Sequence, residues 1–227
     1  SIGIIESTTW LMGSMLGALS IGFSVQVAHF IGANDFFKAR QVFRHALICG
    51  LIFSLLMMTI GIAIHSRLPY WLGGGADIAG NSSAYFLIYS FALPFVLLYF
   101  MSASMLKSSG NMKIPSILSV VTCLLDVVFN YIFIYIFKLG VAGAALGTLL
   151  AYVVTVLPMV WQSTCKSKIL ALHLDKIKFR WNWAYVRNAA KISGPIALQA
   201  MLMSGAQVIC TIIVAPLGNI AIAANSF

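Results

Sequence analysis

The chain has 227 residues, of which 61% are hydrophobic and 8% charged, with a mean hydropathy of +0.97. Soluble domains carry about half apolar and about a quarter charged residues, so this composition excludes a soluble globular fold and indicates an all-α polytopic membrane protein. The net charge of +9 does not point to nucleic acid, because the basic residues sit in short clusters between apolar runs, the pattern that a positive-inside topology produces.

The chain opens on Ser1 with neither an initiator Met nor a signal peptide and stops at Phe227 inside an apolar run, so it reads as a fragment of a longer protein. Ser7 to Asn34 holds 28 residues without a formal charge, enough to span with some tilt. Gly13, Gly17 and Gly22 in it allow close helix packing, and Glu6 falls at its edge as a solvated carboxylate. Turn residues Gly32-Ala33-Asn34-Asp35 then meet the cluster Lys38, Arg40 and Arg44. Ala46 to Ser66 gives a second span, followed by the Gly73-Gly74-Gly75 loop. Ile78 to Leu106 gives a third, with Pro94 as a kink candidate. A tight polar turn, Lys107 to Lys113, leads to a fourth span with Pro115 in its first turn. Leu139 to Cys165 contains the fifth, with Pro158 as a second kink candidate, and Ile192 to Phe227 the sixth.

Between them, Cys165 to Ser193 is the one long polar stretch. Ile177, Phe179, Trp181, Trp183 and Tyr185 alternate with Lys176, Lys178, Arg180 and Asn182, an extended pattern of period two. Asn182 is placed to cap a short helix running through Arg187 to Ile192, which Ser193-Gly194-Pro195 should end. The segment reads as a surface connector, with Trp and basic residues at headgroup level.

Twelve of the fourteen Lys and Arg residues follow the first, third and fifth spans, and only Arg67 and Lys138 follow the second and fourth. The bias places the loops 33–45, 107–113 and 166–193 in the cytoplasm of a multi-pass protein of the cytoplasmic (inner) membrane. Cys49, Cys123, Cys165 and Cys210 are far apart and read as packing residues. Neither they nor His29, His45, His65 and His173 have the spacing of a metal or redox motif, so no metal and no cofactor is expected.

The residue that demands a function is Asp126. It is the one charge among the 24 residues from Ile114 to Phe137, thirteenth in the run and so close to the bilayer midplane. A charge there costs at least ~2.5 kcal/mol, and such carboxylates face bundle interiors and mark ion or proton pathways. Asn130 lies one helical turn on, and the turn Lys138-Leu139-Gly140 brings back an apolar helix carrying Thr148. Three oxygen-bearing side chains can therefore converge, although an Asp held by a neighbouring hydroxyl purely for packing has the same signature. Aromatic and Met side chains such as Tyr85, Tyr89, Phe91, Phe95 and Met101 are of the type that lines a substrate cavity, but the sequence assigns no substrate contact to any of them.

Four stretches resemble the multidrug and toxic compound extrusion (MATE) transporters. They are Val27 to Asp35 with Lys38-Ala39-Arg40, Leu106 to Asn111 with Pro115, Leu139 to Thr148, and Gly194 to Gln199. The resemblance implies twelve helices in two six-helix lobes, exporting drugs or organic cations in exchange for sodium ions or protons. On that register residues 1–165 are five helices of the amino-terminal lobe, 166–193 a basic linker, and 194–227 the first helix of the second lobe. The family's first helix is then expected to lie upstream of Ser1. The resemblance further implies that Asp126, Asn130 and Thr148 form the cation or proton coupling site, with any Na+ held there. One common family pattern has Asn first and Asp four residues later; the order here is reversed, which moves the charge by one turn, about 6 Å.

Desolvation favours the neutral form of any carboxyl group, which opens proton exchange; carboxylate, amide and hydroxyl oxygens together suit a hard cation equally well. The partners implied are a small-molecule drug or organic cation and the lipid bilayer, with no nucleic acid and a monomeric full-length protein. A flippase for lipid-linked oligosaccharides is the alternative within the wider superfamily, but it calls for basic residues in the cavity and no Lys or Arg sits mid-span. A non-transport membrane protein is the further alternative. No enzyme is expected, since HExxH, GxSxG and paired-Asp motifs are absent from the sequence.

Overall fold

A computed structural model describes residues 2–67, 76–167, 169–171 and 181–214. They form six long helices: α1 (Ile2–Gly32), α2 (Phe36–Ile64), α3 (Ala76–Ser108), α4 (Lys113–Tyr131), α5 (Gly140–Trp161) and α6 (Trp183–Val214). A π-helical turn extends α4 over Ile132–Ile136 and another extends α5 over Gln162–Lys166. No strand occurs among the described residues. The first five helices are each long and apolar enough to cross a membrane. The sixth predicted span is helical as far as Val214, and its remainder lies outside the described residues, as does the period-two segment up to Arg180, whereas Glu6 and Cys210 fall within α1 and α6.

Short turns join α1 to α2, α3 to α4 and α4 to α5. Asn34 ends α1 in the left-handed region at φ 57°. Its N–H donates to Ile31 O at 3.0 Å and that of Asp35 to Phe30 O at 2.9 Å, which satisfies carbonyls the helix end would orphan. Gly110 does the same after α3 at φ 82°, with Asn111 N–H on Leu106 O at 3.0 Å, and only a residue without a Cβ adopts that φ freely. Asp35 caps α2 by accepting from Lys38 N–H at 3.1 Å, and the Lys38 ammonium 2.7 Å away holds its carboxyl below the ordinary value. That cap corrects the sequence reading of a loop over 33–45: α2 begins at Phe36, and Lys38, Arg40 and Arg44 ride on its first turns. Long basic side chains permit this, since their stems lie along apolar surface while the charges reach the interface.

A second correction concerns α6. Ser193-Gly194-Pro195 does not end a helix; α6 runs unbroken from Trp183 to Val214 with Pro195 inside it. A proline inside a helix clashes with the Cβ of the residue before it and with the carbonyl four residues back, and Gly194 removes the first of these. Helices also continue through Pro94 and Pro158. The expected cap is in place, Asn182 Oδ1 accepting from Ala184 N–H at 2.9 Å. Of the cysteines read as packing residues, Cys49 is half-buried, whereas Cys123 and Cys165 are exposed, on turns of α4 and α5 that face away from the bundle.

α3 is central, packing on α1, α2 and α5; α4 lies outside α5, and α6 lies across α1 and α2. Phe23, Phe43, Met101 and Met105 fill one buried cluster, Leu16, Phe86, Leu93 and Leu97 a second, and Tyr99, Leu106, Val156 and Met159 a third. α6 approaches α1 closely at Gly22, where a Cβ would meet the Ser193 side chain and, at 2.7 Å, the Ala189 carbonyl.

The basic segments that follow α1, α3 and α5 meet at one end of the bundle. Arg40 donates to Ile169 O at 3.0 Å, and Gln26 to Tyr185 O at 3.1 Å. Fully buried His45 accepts from Asn182 N–H through Nε2 at 2.8 Å, so its proton sits on Nδ1, 2.7 Å from Gln41 O. Its ring also touches Trp181 and Tyr185.

Candidate functional site

α4 is two-faced. Ile117, Val120, Leu124, Val127 and Tyr131 recur at helical spacing and are each about 60% exposed, a stripe suited to lipid. Leu118, Thr122, Asp126 and Asn130 recur every four residues on the other side, toward the bundle. Asp126 is the fourteenth residue of the 24-residue span Lys113–Ile136, which keeps it near mid-membrane.

The helix facing it approaches through small residues. On α5, Gly143 lies against the Phe133 backbone, a Cβ there meeting its carbonyl carbon and oxygen at 3.0 Å. One turn on, a Cβ on Gly147 would land on Asn130 Oδ1, with Asn130 Cγ and backbone N both at 3.0 Å. This small-xxx-small seam lets two membrane helices pack backbone to backbone. It also delivers the next residue, Thr148, to the carboxyl group: Thr148 Oγ1 donates to Asp126 Oδ1 at 2.8 Å, the usual length of an O–H···O hydrogen bond.

Of the three candidate site residues, the structure thus joins Asp126 and Thr148 directly. Asn130 sits one turn along, against Gly147, and its Oδ1 is buried with no hydrogen-bond partner among the described residues. An orphaned buried acceptor costs roughly 1–3 kcal/mol, and two oxygens with free lone pairs, Asn130 Oδ1 and Asp126 Oδ2, stand on one face of α4. The set is rich in acceptors and holds a single hydroxyl donor, which is the chemistry of a proton or hard-cation site.

A cavity of about 490 Å³ opens on the other side of Thr148. α5 contributes Thr148 and Tyr152, α3 contributes Tyr89 and Phe100, and α1 contributes Thr9, Trp10, Gly13 and Ser14. Tyr89 donates to Thr9 O at 3.2 Å and stacks on Tyr85, with ring centroids 6.4 Å apart. Tyr152 meets Tyr99 edge to face at 5.4 Å. Among the aromatic and Met residues singled out in the sequence, only Tyr89 lines this cavity. Phe91 is 47% exposed, Met101 is buried in the core, and Phe95 packs at the α3–α5 cluster. Tyr152 was legible as the residue one turn beyond Thr148; Thr9 and Ser14 carried no signal.

The profile of one protein family, MatE, matches residues 1–132, more than half the chain. The chain belongs to the MatE family. It is 28% identical over 212 residues to the multidrug export protein MepA of Staphylococcus saprophyticus, a match that takes in 93% of this chain and 46% of that protein. Among solved structures it resembles an inward-facing multidrug resistance MATE family transporter of the MOP superfamily, with a TM-score of 0.83 at 23% identity over 89% of this chain and 46% of the other. An outward-facing one gives 0.87 at 22% identity over 94% and 47%. These likenesses show that the MatE chain has the all-α fold expected from its sequence, and that it spans about half the length of the relatives it matches. The relatives are named as transporters, in agreement with the expectation of a non-enzymatic protein.

Proposed function

We propose that the full-length protein containing this MatE chain exports drugs or organic cations by alternating access, driven by exchange for a sodium ion or a proton that binds at Asp126. The observation that carries the reading is the Thr148–Asp126 hydrogen bond, a carboxylate held at mid-span beside a cavity that α1, α3 and α5 share. Thr148 belongs to both the carboxylate and the cavity wall, so filling the cavity and changing the charge on Asp126 act on one hydroxyl. Asp126 supplies the charge that titrates or coordinates, Thr148 orients it, and Asn130 Oδ1 supplies a further oxygen when the coupling ion is sodium. Alternating access then exposes the site to one side at a time, with two lobes rocking about a shared cavity. The naming of MepA as a multidrug export protein supports the substrate class, and the basic end of the bundle supports a cytoplasmic location for that end.

The test is efflux of a cationic dye from vesicles holding the full-length protein, against an imposed sodium or proton gradient. Thr148→Val, which keeps shape and removes the donor, should need a higher ion concentration for half-maximal export. Charge-assisted bonds contribute about 1.5–3 kcal/mol, so the expected shift is roughly tenfold or more. An unchanged ion dependence in folded Thr148→Val would contradict the assignment.

A further inference from the structure

A second cavity of about 490 Å³ lies at the basic end of the bundle, away from Asp126, between the α3–α4 turn and the π-helical end of α5. Its polar lining is Ser109, Asn111, Lys113, Gln162, Lys166 and Ser167, and among the described residues none that line it is acidic. Neither lysine has a carboxylate partner among the described residues. Two ammonium groups, two amides and two hydroxyls around a concave space make a receptor for a multivalent oxyanion, phosphate above all.

The surroundings decide what carries that phosphate. Exposed apolar side chains adjoin the cavity, Met112 just before α4, Ile117 on α4, and Leu157 and Trp161 on α5. The Lys166 ammonium sits 4.2 Å from the centroid of the Trp161 ring, an arrangement that holds the charge at the level where aromatic side chains meet headgroups. A soluble anion needs the cations and has no use for an apolar wall beneath them, whereas a phospholipid needs both.

We infer that this cavity binds the phosphate of an anionic phospholipid headgroup, with Lys113 and Lys166 as its cationic ligands and the acyl chains running down the exposed faces of α4 and α5. Attraction of this kind is worth about fivefold in affinity for each lysine near an anionic surface.

The test is native mass spectrometry of the full-length protein in detergent, titrated separately with dioleoyl phosphatidylglycerol and dioleoyl phosphatidylcholine. Both lysines are exposed, so Lys113→Gln and Lys166→Gln leave the fold in place. Each should weaken phosphatidylglycerol binding about fivefold, and the double variant about 25-fold. Lys138→Gln, the same charge change at the opposite end, should leave it unchanged, and phosphatidylcholine binding should be indifferent to all of them. Equal phosphatidylglycerol affinity in the wild type and the double variant would overturn the proposal. Displacement of the lipid by micromolar inorganic phosphate would overturn it too, by assigning the cavity to a free anion.

Discussion

Gly147→Ala probes the seam that builds the site. The added Cβ lands on Asn130 Oδ1, which can rotate away, but also within 3.0 Å of the Asn130 backbone N, which cannot. α4 and α5 must therefore separate by a few tenths of an ångström. Overpacking of this kind costs about 1–3 kcal/mol, and the rigid contact argues for the upper half, about 2–3 kcal/mol. Replacing a helical glycine returns up to about 1 kcal/mol of propensity, leaving a net loss of about 1–2 kcal/mol. Gly17→Ala is the matched control: it sits inside α1 with nothing within 4 Å of the new Cβ, so it should be neutral or stabilising. SDS-induced unfolding in mixed micelles measures both, and their difference isolates the steric cost. Gly143→Ala, which presses on the Phe133 backbone, should lose similar stability, yet Gly147→Ala alone should also raise the ion concentration for half-maximal export, because it alone displaces Asn130. Wild-type stability in Gly147→Ala would refute the close approach, and identical ion dependence in the two variants would refute a role for Asn130.

Three further outcomes follow from other parts of the fold. Cysteines introduced at Gly110 and Ser167 should be shielded from an impermeant thiol reagent in intact cells while one at Gly74 reacts; labelling of the first two from outside would reverse the orientation. His45→Phe keeps the ring contacts with Trp181 and Tyr185 but strands the Asn182 N–H, so it should cost about 1–3 kcal/mol of stability and speed proteolysis between residues 166 and 182; unchanged cleavage would show that this tether does not hold the linker. Pro195→Ala should leave the helix content of α6 unaltered by circular dichroism, since the helix already runs through Pro195; a clear gain in helix would show that the proline breaks α6.

The spans were legible because membrane length and hydropathy act over twenty or more residues and tolerate local error. Asp126 was legible for the same reason, as a lone charge whose desolvation has to be answered. Its pairing with Thr148 follows from the brevity of the turn at Lys138–Gly140, which lays the start of α5 back along the end of α4. The placement of Asn130 was not legible: spacing puts it on the same face as Asp126, but whether it joins the carboxylate depends on the rotation of α4 against Gly147, a packing property of both helices. Boundaries failed where one local signal outvoted another. The basic cluster after Asn34 read as loop although Asp35 caps a helix through it, and Ser193-Gly194-Pro195 read as a helix end although α6 continues through it. The His45–Asn182 bond joins residues 137 positions apart, and no pattern along the chain announces it.

In the proposed mechanism Asp126 couples ion movement to export. Asp126→Asn keeps the size of the side chain and removes the charge, so the measurement is gradient-driven dye efflux by the full-length Asp126→Asn variant in vesicles, normalised to folded protein. The variant should insert and fold while efflux no longer responds to either a sodium or a proton gradient. Wild-type gradient-driven export per folded molecule would contradict it and reduce Asp126 to a packing residue held by Thr148.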